Sequence, residues 1–195
     1  VVFCNTKGPF GGPSNMAAGY PLEVNGAQIR TAEALYQALR FPDHPDVQTE
    51  ILTQPSPMGA KIVSREHTSL TRPDWEQVRV EVMDWCLRVK LVQNHEAFVA
   101  LVAATGDREL VEYSRTDSFW GAVRSNDGAL VGQNVLGQLL MNLRDALSEA
   151  AGAGMPEEVT PPDCRVLLFR EPVRPVEQQR RNLNITPSQS ALFDV

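Results

Sequence analysis

Between residues 31 and 41, apolar and polar side chains alternate with the period of an amphipathic helix. Its apolar stripe consists of Ala34, Leu35, Ala38 and Leu39. Thr31 is a suitable N-cap, because its hydroxyl can accept a hydrogen bond from a first-turn amide, and Phe41-Pro42 ends the helix. The polar residues at i, i+3, i+4 and i+7 share the other side and are Glu33, Tyr36, Gln37 and Arg40. The pattern therefore predicts one packing face and one face available for chemistry.

Short strands and helices separated by turn residues are predicted on either side of this helix. They cover 1–3, 22–24 and 28–30 as strands, and 47–54 and 58–64 as helices. Asn25-Gly26 favours the tight turn that joins two twisted strands, so the second and third strands should form a hairpin. Pro55-Ser56-Pro57 separates the two helices, and residues 8–15 form a loop rich in glycine and proline.

The longest helix is predicted from Thr71, which can cap it, and Pro73, a favourable first-turn residue, to about Val92. Its core-facing stripe is Trp75, Val78, Val82, Trp85 and Val89. Charged residues outside this stripe are predicted to be solvated, namely Arg79, Glu81, Asp84 and Arg88. The remaining predictions are helices over 97–104 and after Asn134, a strand or turn over 109–113, and a strand over 166–169.

Length and composition favour a single main domain. The chain has 195 residues, 43% of them hydrophobic, which is enough for one substantial core. We expect a compact, predominantly helical α+β domain with a small β-sheet over residues 1–150. Beyond it, glycine, proline and polar residues dominate, so residues 151–195 are predicted to be an extension with a linker, one short strand and an irregular tail.

Charge and cysteine usage exclude several classes of protein. A net charge of -6 argues against broad electrostatic binding to nucleic acid, although a local contact is compatible with it. Cys4, Cys86 and Cys164 have no paired spacing and the histidines are scattered, so we expect buried thiols and no zinc site. Because no apolar run reaches membrane-spanning length and the start has no signal-like pattern, we expect a cytoplasmic location and no membrane contact.

Seven short motifs, taken in order, carry a resemblance to a known family. They are Gly11-Gly12-Pro13-Ser14-Asn15; Thr31-Ala32-Glu33 with Tyr36-Gln37-Ala38 and Arg40-Phe41; Ser56-Pro57 with Ala60-Lys61; Arg72-Pro73-Asp74-Trp75; Ala104-Thr105-Gly106-Asp107; Asp117 with Phe119-Trp120-Gly121; and Gly132-Gln133-Asn134-Val135-Leu136-Gly137 with Leu140-Met141-Asn142-Leu143-Arg144. Over about residues 3–148 this order resembles the NADAR, or YbiA-like, family. The resemblance implies a mostly helical α+β domain that hydrolyses N-glycosidic bonds. The implied substrates are ADP-ribose on guanine bases or ribosylamino-pyrimidine phosphates of riboflavin synthesis.

Glu33 is the predicted acid-base residue for such a reaction. Breaking an N-glycosidic bond builds positive charge on the anomeric carbon, while the leaving nitrogen needs a proton. A positioned carboxyl can stabilise that charge, protonate the nitrogen or activate water. A carboxylate on such a helix is often merely solvated, but the ordered motifs favour the catalytic interpretation.

Lys7 and Asp117 complete the predicted catalytic set. The Lys7 amine could attack the anomeric carbon and form a Schiff base with the opened ribose, which requires a lowered pKa. An exposed loop lysine is the alternative interpretation of that residue. Asp117 could orient the ribose hydroxyls or share the acid-base work.

The predicted substrate-binding residues are Gly11, Gly12, Ser14, Asn15, Tyr36, Gln37, Arg40, Lys61, Trp120 and Asn134. Amides of the glycine loop are expected to face phosphate, and Arg40 or Lys61 would neutralise it unless they are surface charges. Trp120 either stacks on a base or fills the core. Asn134 either binds ribose or phosphate, or caps the helix that follows it.

Together with these candidates, the resemblance implies an N-glycosidase that removes ADP-ribose from a modified guanine in DNA, as the antitoxin to a DNA-modifying toxin. The toxin link follows from the resemblance alone. No metal or redox cofactor is expected, because a carboxyl and an amine suffice for the chemistry. The modified base should be single-stranded or flipped out, because its bond must reach a pocket. The alternatives are cleavage of a ribosylamino-pyrimidine phosphate and a module that binds ADP-ribose without cleaving it.

Overall fold

Six α-helices dominate the part of the chain that the computed structural model describes, which is residues 1–3, 11–150 and 157–178. In chain order they are α1 (Ala32–Ala38), α2 (Pro45–Leu52), α3 (Pro57–Glu66), α4 (Trp75–Gln93), α5 (His95–Ala103) and α6 (Val135–Ala150). A single 3₁₀ turn, Thr68–Leu70, precedes α4. None of the helices in this described part is long and apolar enough to cross a membrane.

The described strands are short and pair in twos. In chain order they are β1 (Val2–Phe3), β2 (Leu22–Val24), β3 (Ala27–Ile29), β4 (Val111–Glu112), β5 (Val123–Arg124), β6 (Leu130–Val131), β7 (Glu158–Val159), β8 (Leu167–Leu168), β9 (Glu171–Pro172) and β10 (Val176–Glu177). β1 pairs with β4 in parallel, and the antiparallel pairs are β2 with β3, β5 with β6, β7 with β10 and β8 with β9. The mostly helical α+β fold is confirmed, with its strands in separate ribbons.

Local signals position α1 as predicted. The Thr31 hydroxyl accepts a hydrogen bond from the Ala34 amide at 3.2 Å. The hairpin that leads into α1 turns at Asn25 and Gly26, whose φ angles of 51° and 79° belong to the left-handed region that this turn needs. Every side chain of α1 is buried, including the polar ones. The face that was predicted to be polar therefore lies inside the protein.

α4 begins later than predicted and occupies the centre of the domain. Thr71 does not cap it, because the Thr71 hydroxyl accepts from Arg40 Nη2 at 3.1 Å. Asp74 precedes the helix, but its carboxylate binds Arg72 at 2.6 Å and makes no cap. The predicted stripe is buried, apart from half-buried Val78. The second half of α4 is also buried outside that stripe, because α1, α5, α6 and the C-terminal strands surround it.

Part of the C-terminal extension belongs to the core. The predicted strand at 166–169 is present as β8, and residues 157–178 also contribute β7, β9 and β10. Their buried side chains join the main hydrophobic cluster and are Val159, Val166, Leu168, Val173 and Val176. Gln48 of α2 holds this segment through the Leu167 carbonyl at 2.9 Å and the Phe169 amide at 2.7 Å. Residues 157–178 therefore contribute to the core, whereas the extension was predicted to hold a linker, one short strand and an irregular tail. Most of that predicted tail lies in 179–195, outside the described residues.

Candidate active site

A cavity of about 620 Å³ lies beside the buried polar face of α1. The loop before β2, helix α3, the start of α4 and the loop after β4 form its other walls. It brings together eight of the residues predicted from sequence, namely Asn15, Glu33, Tyr36, Gln37, Arg40, Lys61, Asp117 and Trp120. The polar face of α1 is thus buried from solvent but available to a ligand.

Glu33 is the most constrained carboxyl of this cavity. It lies in the first turn of α1 and is 2% exposed. Its Oε1 accepts a hydrogen bond from Gln37 Nε2 at 2.8 Å, and its Oε2 accepts one from Asn15 Nδ2. Asn15 also accepts from the Glu33 backbone amide through its carbonyl, at 3.0 Å. The carboxyl is therefore held from two sides in one orientation.

Burial raises the pKa of Glu33 above its ordinary value. The positive charge of Lys61, the Gln37 hydrogen bond and the charge of Arg40 act in the opposite direction but more weakly. A carboxyl in this position binds a proton more readily than an exposed one. It is suited to give that proton to a leaving group.

Arg40 fixes the direction of the Gln37 amide. Gln37 Oε1 accepts from the Ser64 hydroxyl at 2.5 Å and from Arg40 Nη1 at 3.2 Å. Because two donors face that oxygen, the Gln37 Nε2 group must point the other way, toward Glu33. Burial lowers the pKa of Arg40, and its buried Nε has no hydrogen-bond partner among the described residues. Arg40 thus supports Gln37, and its guanidinium also lines the cavity.

An aromatic row forms one wall of the cavity, and Tyr36 and Trp120 lie in its middle. The ring centroids are 5.0 Å apart for Tyr36 and Trp75, 5.6 Å for Tyr36 and Trp120, and 5.1 Å for Trp120 and Phe119. Trp120 is only half-buried, so part of its surface is available to the cavity. Asp117 Oδ1 accepts from the backbone amides of Phe119 and Trp120 at 3.1 and 2.9 Å, which fixes the loop that carries them.

Three residues of the glycine loop do not line the cavity as predicted. A Cβ on Gly12 would meet Tyr20 and Leu101, so this glycine makes a close approach to the core. Gly11 binds the Ser14 amide through its carbonyl at 3.2 Å, and the Ser14 hydroxyl accepts from the Met16 amide at 3.2 Å. The Gly12 and Ser14 carbonyls accept from the buried Lys90 amine, and of residues 11–16 only Asn15 and Met16 line the cavity.

Asn134 is also not a cavity residue. Its side chain accepts from the Glu112 amide at 3.0 Å and donates to the Leu110 carbonyl at 2.8 Å. These bonds join β4 to the start of α6, and Asn134 adopts a φ of 50°, which asparagine tolerates better than most residues. Asn134 therefore has a structural role. Lys7 lies outside the described residues.

Glu112 and Arg79 are among the cavity residues that the sequence interpretation missed. Glu112 of β4 lines the cavity, and burial followed by the negative charge of Glu33 raises its pKa to about 7. Arg79, predicted to be solvated, lies with its guanidinium carbon 3.7 Å from the Phe119 ring centroid and pairs with Glu76 at 3.0 Å. Its buried Nε has no hydrogen-bond partner in the described part of the chain. The sequence feature that could have identified Glu112 is a charged residue inside the predicted strand or turn at 109–113, just before the Asp117 motif.

The cavity has no evident metal-binding set. Among residues 1–3, 11–150 and 157–178, no group of three histidine, cysteine, aspartate or glutamate side chains could hold a metal ion. Its chemical groups are carboxyls, guanidinium and ammonium groups, amides and aromatic rings. They can transfer protons, bind anionic oxygens and stack on planar rings.

The chain is similar to several known proteins. A family model described as the NADAR domain matches residues 2–148. N-glycosidase YbiA of Escherichia coli (strain K12) is 38% identical over 148 residues, which are 76% of this chain and 88% of that protein. A riboflavin biosynthesis protein of Vibrio vulnificus (strain YJ016) is 39% identical over 138 residues, which are 70% of this chain and 36% of that protein. The NMR structure of Escherichia coli YbiA superposes with a TM-score of 0.64 at 36% identity, covering 76% of this chain and 84% of that one.

Proposed function

The chain belongs to the NADAR domain family, and on this premise we propose that it hydrolyses an N-glycosidic bond with Glu33 as its acid-base residue. The observation that carries the proposal is a buried carboxyl with a raised pKa on the wall of a ligand-sized cavity. The relatives that are named N-glycosidases support the same reaction class.

The proposed reaction uses the two protonation states of Glu33 in turn. The protonated carboxyl gives its proton to the leaving nitrogen as the bond to the anomeric carbon breaks. The resulting carboxylate stabilises the positive charge that develops on the sugar, and then takes a proton from the attacking water. Asn15 and Gln37 donate hydrogen bonds to the carboxylate, so they support it in the charged state.

Glu112 supplies a second carboxyl to the same cavity. Two neighbouring carboxyls resist ionising together, so removal of one proton from the pair leaves one acid and one carboxylate. That combination is what N-glycoside cleavage needs, because one group protonates the leaving nitrogen while the other stabilises positive charge. We propose that the two carboxyls share one proton, because the negative charge of Glu33 raises the pKa of Glu112.

The proposed substrate is ADP-ribose attached to guanine in DNA. Cationic side chains on the cavity wall could bind the diphosphate, and they are Arg40, Lys61, Arg65, Arg79 and Arg115. The exposed part of the Trp120 ring could stack on a base. A guanine in a duplex would have to leave the stack to reach Glu33. The role as antitoxin to a DNA-modifying toxin remains a proposal that comes from the family resemblance.

One observation favours a second substrate class. The Vibrio vulnificus relative is named a riboflavin biosynthesis protein, and a ribosylamino-pyrimidine phosphate also carries an N-glycosidic bond. Its single phosphate would need fewer cationic groups than the cavity offers. A module that only binds ADP-ribose would need no buried acid, so Glu33 argues against it.

The test is incubation of the chain with each substrate, followed by chromatography and mass spectrometry. An oligonucleotide with ADP-ribosylated guanine should release ADP-ribose and leave unmodified guanine, faster in single strands than in duplex. Release of ribose phosphate from the ribosylamino-pyrimidine phosphate alone would establish the metabolic alternative. Binding of the oligonucleotide without release would establish the binding module and overturn hydrolysis.

Arg79 provides a prediction about substrate binding. Arg79→Met should raise KM for the ADP-ribosylated oligonucleotide by about tenfold to a hundredfold, because a charge-assisted hydrogen bond to the ligand is lost. The kcat value should change less, since Arg79 contacts the aromatic wall rather than Glu33. Arg88→Met is the matched control, because Arg88 lies on the same helix and pairs with Asp84. Equal KM values for the two variants would contradict the assignment.

The nucleophile predicted from sequence has its own test. If the Lys7 amine forms a Schiff base with the opened ribose, borohydride should reduce it and leave a stable adduct on the chain. Mass spectrometry of the digested protein should place the added mass on Lys7, and Lys7→Arg should abolish it. If wild type cleaves substrate under borohydride without any adduct, Glu33 acts without a covalent intermediate.

A further inference from the structure

Lys90 is a buried amine that the proposed reaction does not use. It lies in the second half of α4, is 0% exposed and does not line the cavity. Its Nζ donates hydrogen bonds to the carbonyl oxygens of Gly12 and, at 2.9 Å, Ser14. The Tyr20 and Phe98 rings lie 4.3 and 4.7 Å from it. No side-chain carboxylate is among these contacts.

The two carbonyls that Lys90 binds belong to Gly12 and Ser14, and Ser14 directly precedes Asn15. Asn15 holds Glu33 twice, through its side-chain amide and through its carbonyl, which accepts from the Glu33 amide at 3.0 Å. Lys90 of α4 therefore binds the carbonyl of Ser14, and the next residue, Asn15, binds the Glu33 carboxyl of α1. Residues 11–20, the described part of the loop around Asn15, contain turns and bends but no helix or strand, so the position of this part depends on such contacts.

We propose that Lys90 is a positioning residue, which binds the carbonyls of Gly12 and Ser14 and thereby holds the Asn15 amide against the Glu33 carboxyl. The catalytic consequence of this role rests on the proposed N-glycosidase function. The positioning itself does not, and it can be measured in the free protein.

The energetics of this lysine support a role beyond packing. Burial lowers the pKa of Lys90 to about 7, whereas an unfolded chain has a lysine pKa of about 10.4. The folded state therefore gains stability as pH rises from about 7 to 10, and near neutral pH the buried amine costs stability. An apolar residue would avoid that cost but would leave two buried carbonyls without donors. A neutral amine still has two hydrogens, so it can bind both carbonyls in either state.

The consequence for Glu33 can be predicted. Loss of the Asn15 hydrogen bond removes support for the charged carboxylate, so the Glu33 pKa should rise further. A substitution at Lys90 leaves in place the other titratable groups that interact electrostatically with Glu33. These groups are Lys61, Arg40, Arg65, Tyr36, Cys86 and Glu112.

The main experiment follows the Glu33 carboxyl by carbon NMR during a pH titration of the free protein. Lys90→Met keeps the side-chain length but removes the donor, and it should raise the Glu33 pKa by about 1. Arg88→Met, on the same helix but outside the loop contact, should leave that pKa unchanged. An unchanged pKa in Lys90→Met would overturn the proposal.

A double-mutant comparison separates positioning from general damage to the fold. Asn15→Leu should raise the Glu33 pKa by itself, and Lys90→Met should add nothing in that background, because both act through one contact. If Lys90→Met raises the Glu33 pKa by the same amount in the wild-type and the Asn15→Leu backgrounds, the proposal is overturned.

Wild-type protein gives a test that needs no variant to fold. The Lys90 amine hydrogens should exchange with solvent at least about a hundredfold more slowly than those of Lys61, which lines the cavity. Exchange at the Lys61 rate would overturn the contact. Activity is measured separately, where Lys90→Met should lower kcat about tenfold. An inactive wild type with the expected NMR results would refute the N-glycosidase proposal and leave the positioning role intact.

Discussion

Glu33→Gln should lower the rate of N-glycoside cleavage by about 10²- to 10⁴-fold, because an amide cannot protonate the leaving nitrogen. The fold should survive, since glutamine has the same shape and the Asn15 amide can reverse to present its oxygen. Single-turnover release of ADP-ribose from the modified oligonucleotide measures this step without product release. Glu66→Gln makes the same chemical change at an exposed position at the end of α3 and should keep the wild-type rate. Equal rates for the two variants would remove Glu33 from the mechanism.

The same variant should be more stable than wild type at neutral and alkaline pH. The folded-state pKa of Glu33 is raised, so its contribution to stability is fully present below the unfolded pKa of about 4.3 and is lost as pH rises through the folded value. Glutamine undergoes no such loss. Urea unfolding at pH 5 and pH 8 should show the advantage of Glu33→Gln increasing with pH. A variant that is inactive and also destabilised at pH 8 would indicate a structural carboxylate.

Local signals in the sequence were enough to predict the element that carries Glu33. The Thr31 cap acts over three residues and the Asn25-Gly26 turn over two, so both can be recognised without knowing the fold. The apolar stripe of α4 can likewise be recognised from its spacing without knowing the fold. The ordered motifs then identified most of the cavity wall, because they lie on segments that converge on α1.

The missed residues depend on contacts between distant parts of the chain. Lys90 meets carbonyls 76 and 78 residues earlier, and nothing in the pattern of α4 distinguishes it from a solvated lysine. Arg79 occupies a position that is polar by helical period, but the loop of Phe119 covers it. Glycine-rich loops can present either amides or carbonyls, and here the carbonyls of Gly12 and Ser14 accept hydrogen bonds from Lys90. Gly11, Gly12 and Ser14, which were predicted to bind substrate, accordingly do not line the cavity.

A chain that ends after residue 150 should fail to form the native domain. It would lose Val159, Val166, Leu168, Val173 and Val176, which are buried against the main core. Each such side chain contributes about 1.5–3 kcal/mol, whereas a domain of this kind has a net stability of only about 5–15 kcal/mol. The truncation would also expose apolar surface of α4, which packs against β7 and β10. Circular dichroism and the dispersion of amide NMR signals would report the loss of fold.

Two controls locate this effect in residues 157–178. A chain that ends after residue 178 should keep the native fold, because it retains every strand of the described extension. In the full chain, Leu168→Ala should lower the free energy of unfolding by about 2–5 kcal/mol. Phe169→Ala, at a neighbouring side chain that is 38% exposed, should change it by less than about 1 kcal/mol. A cooperatively folded chain of residues 1–150 would show instead that the family domain is complete without the extension, whose buried side chains would then only cover a finished core.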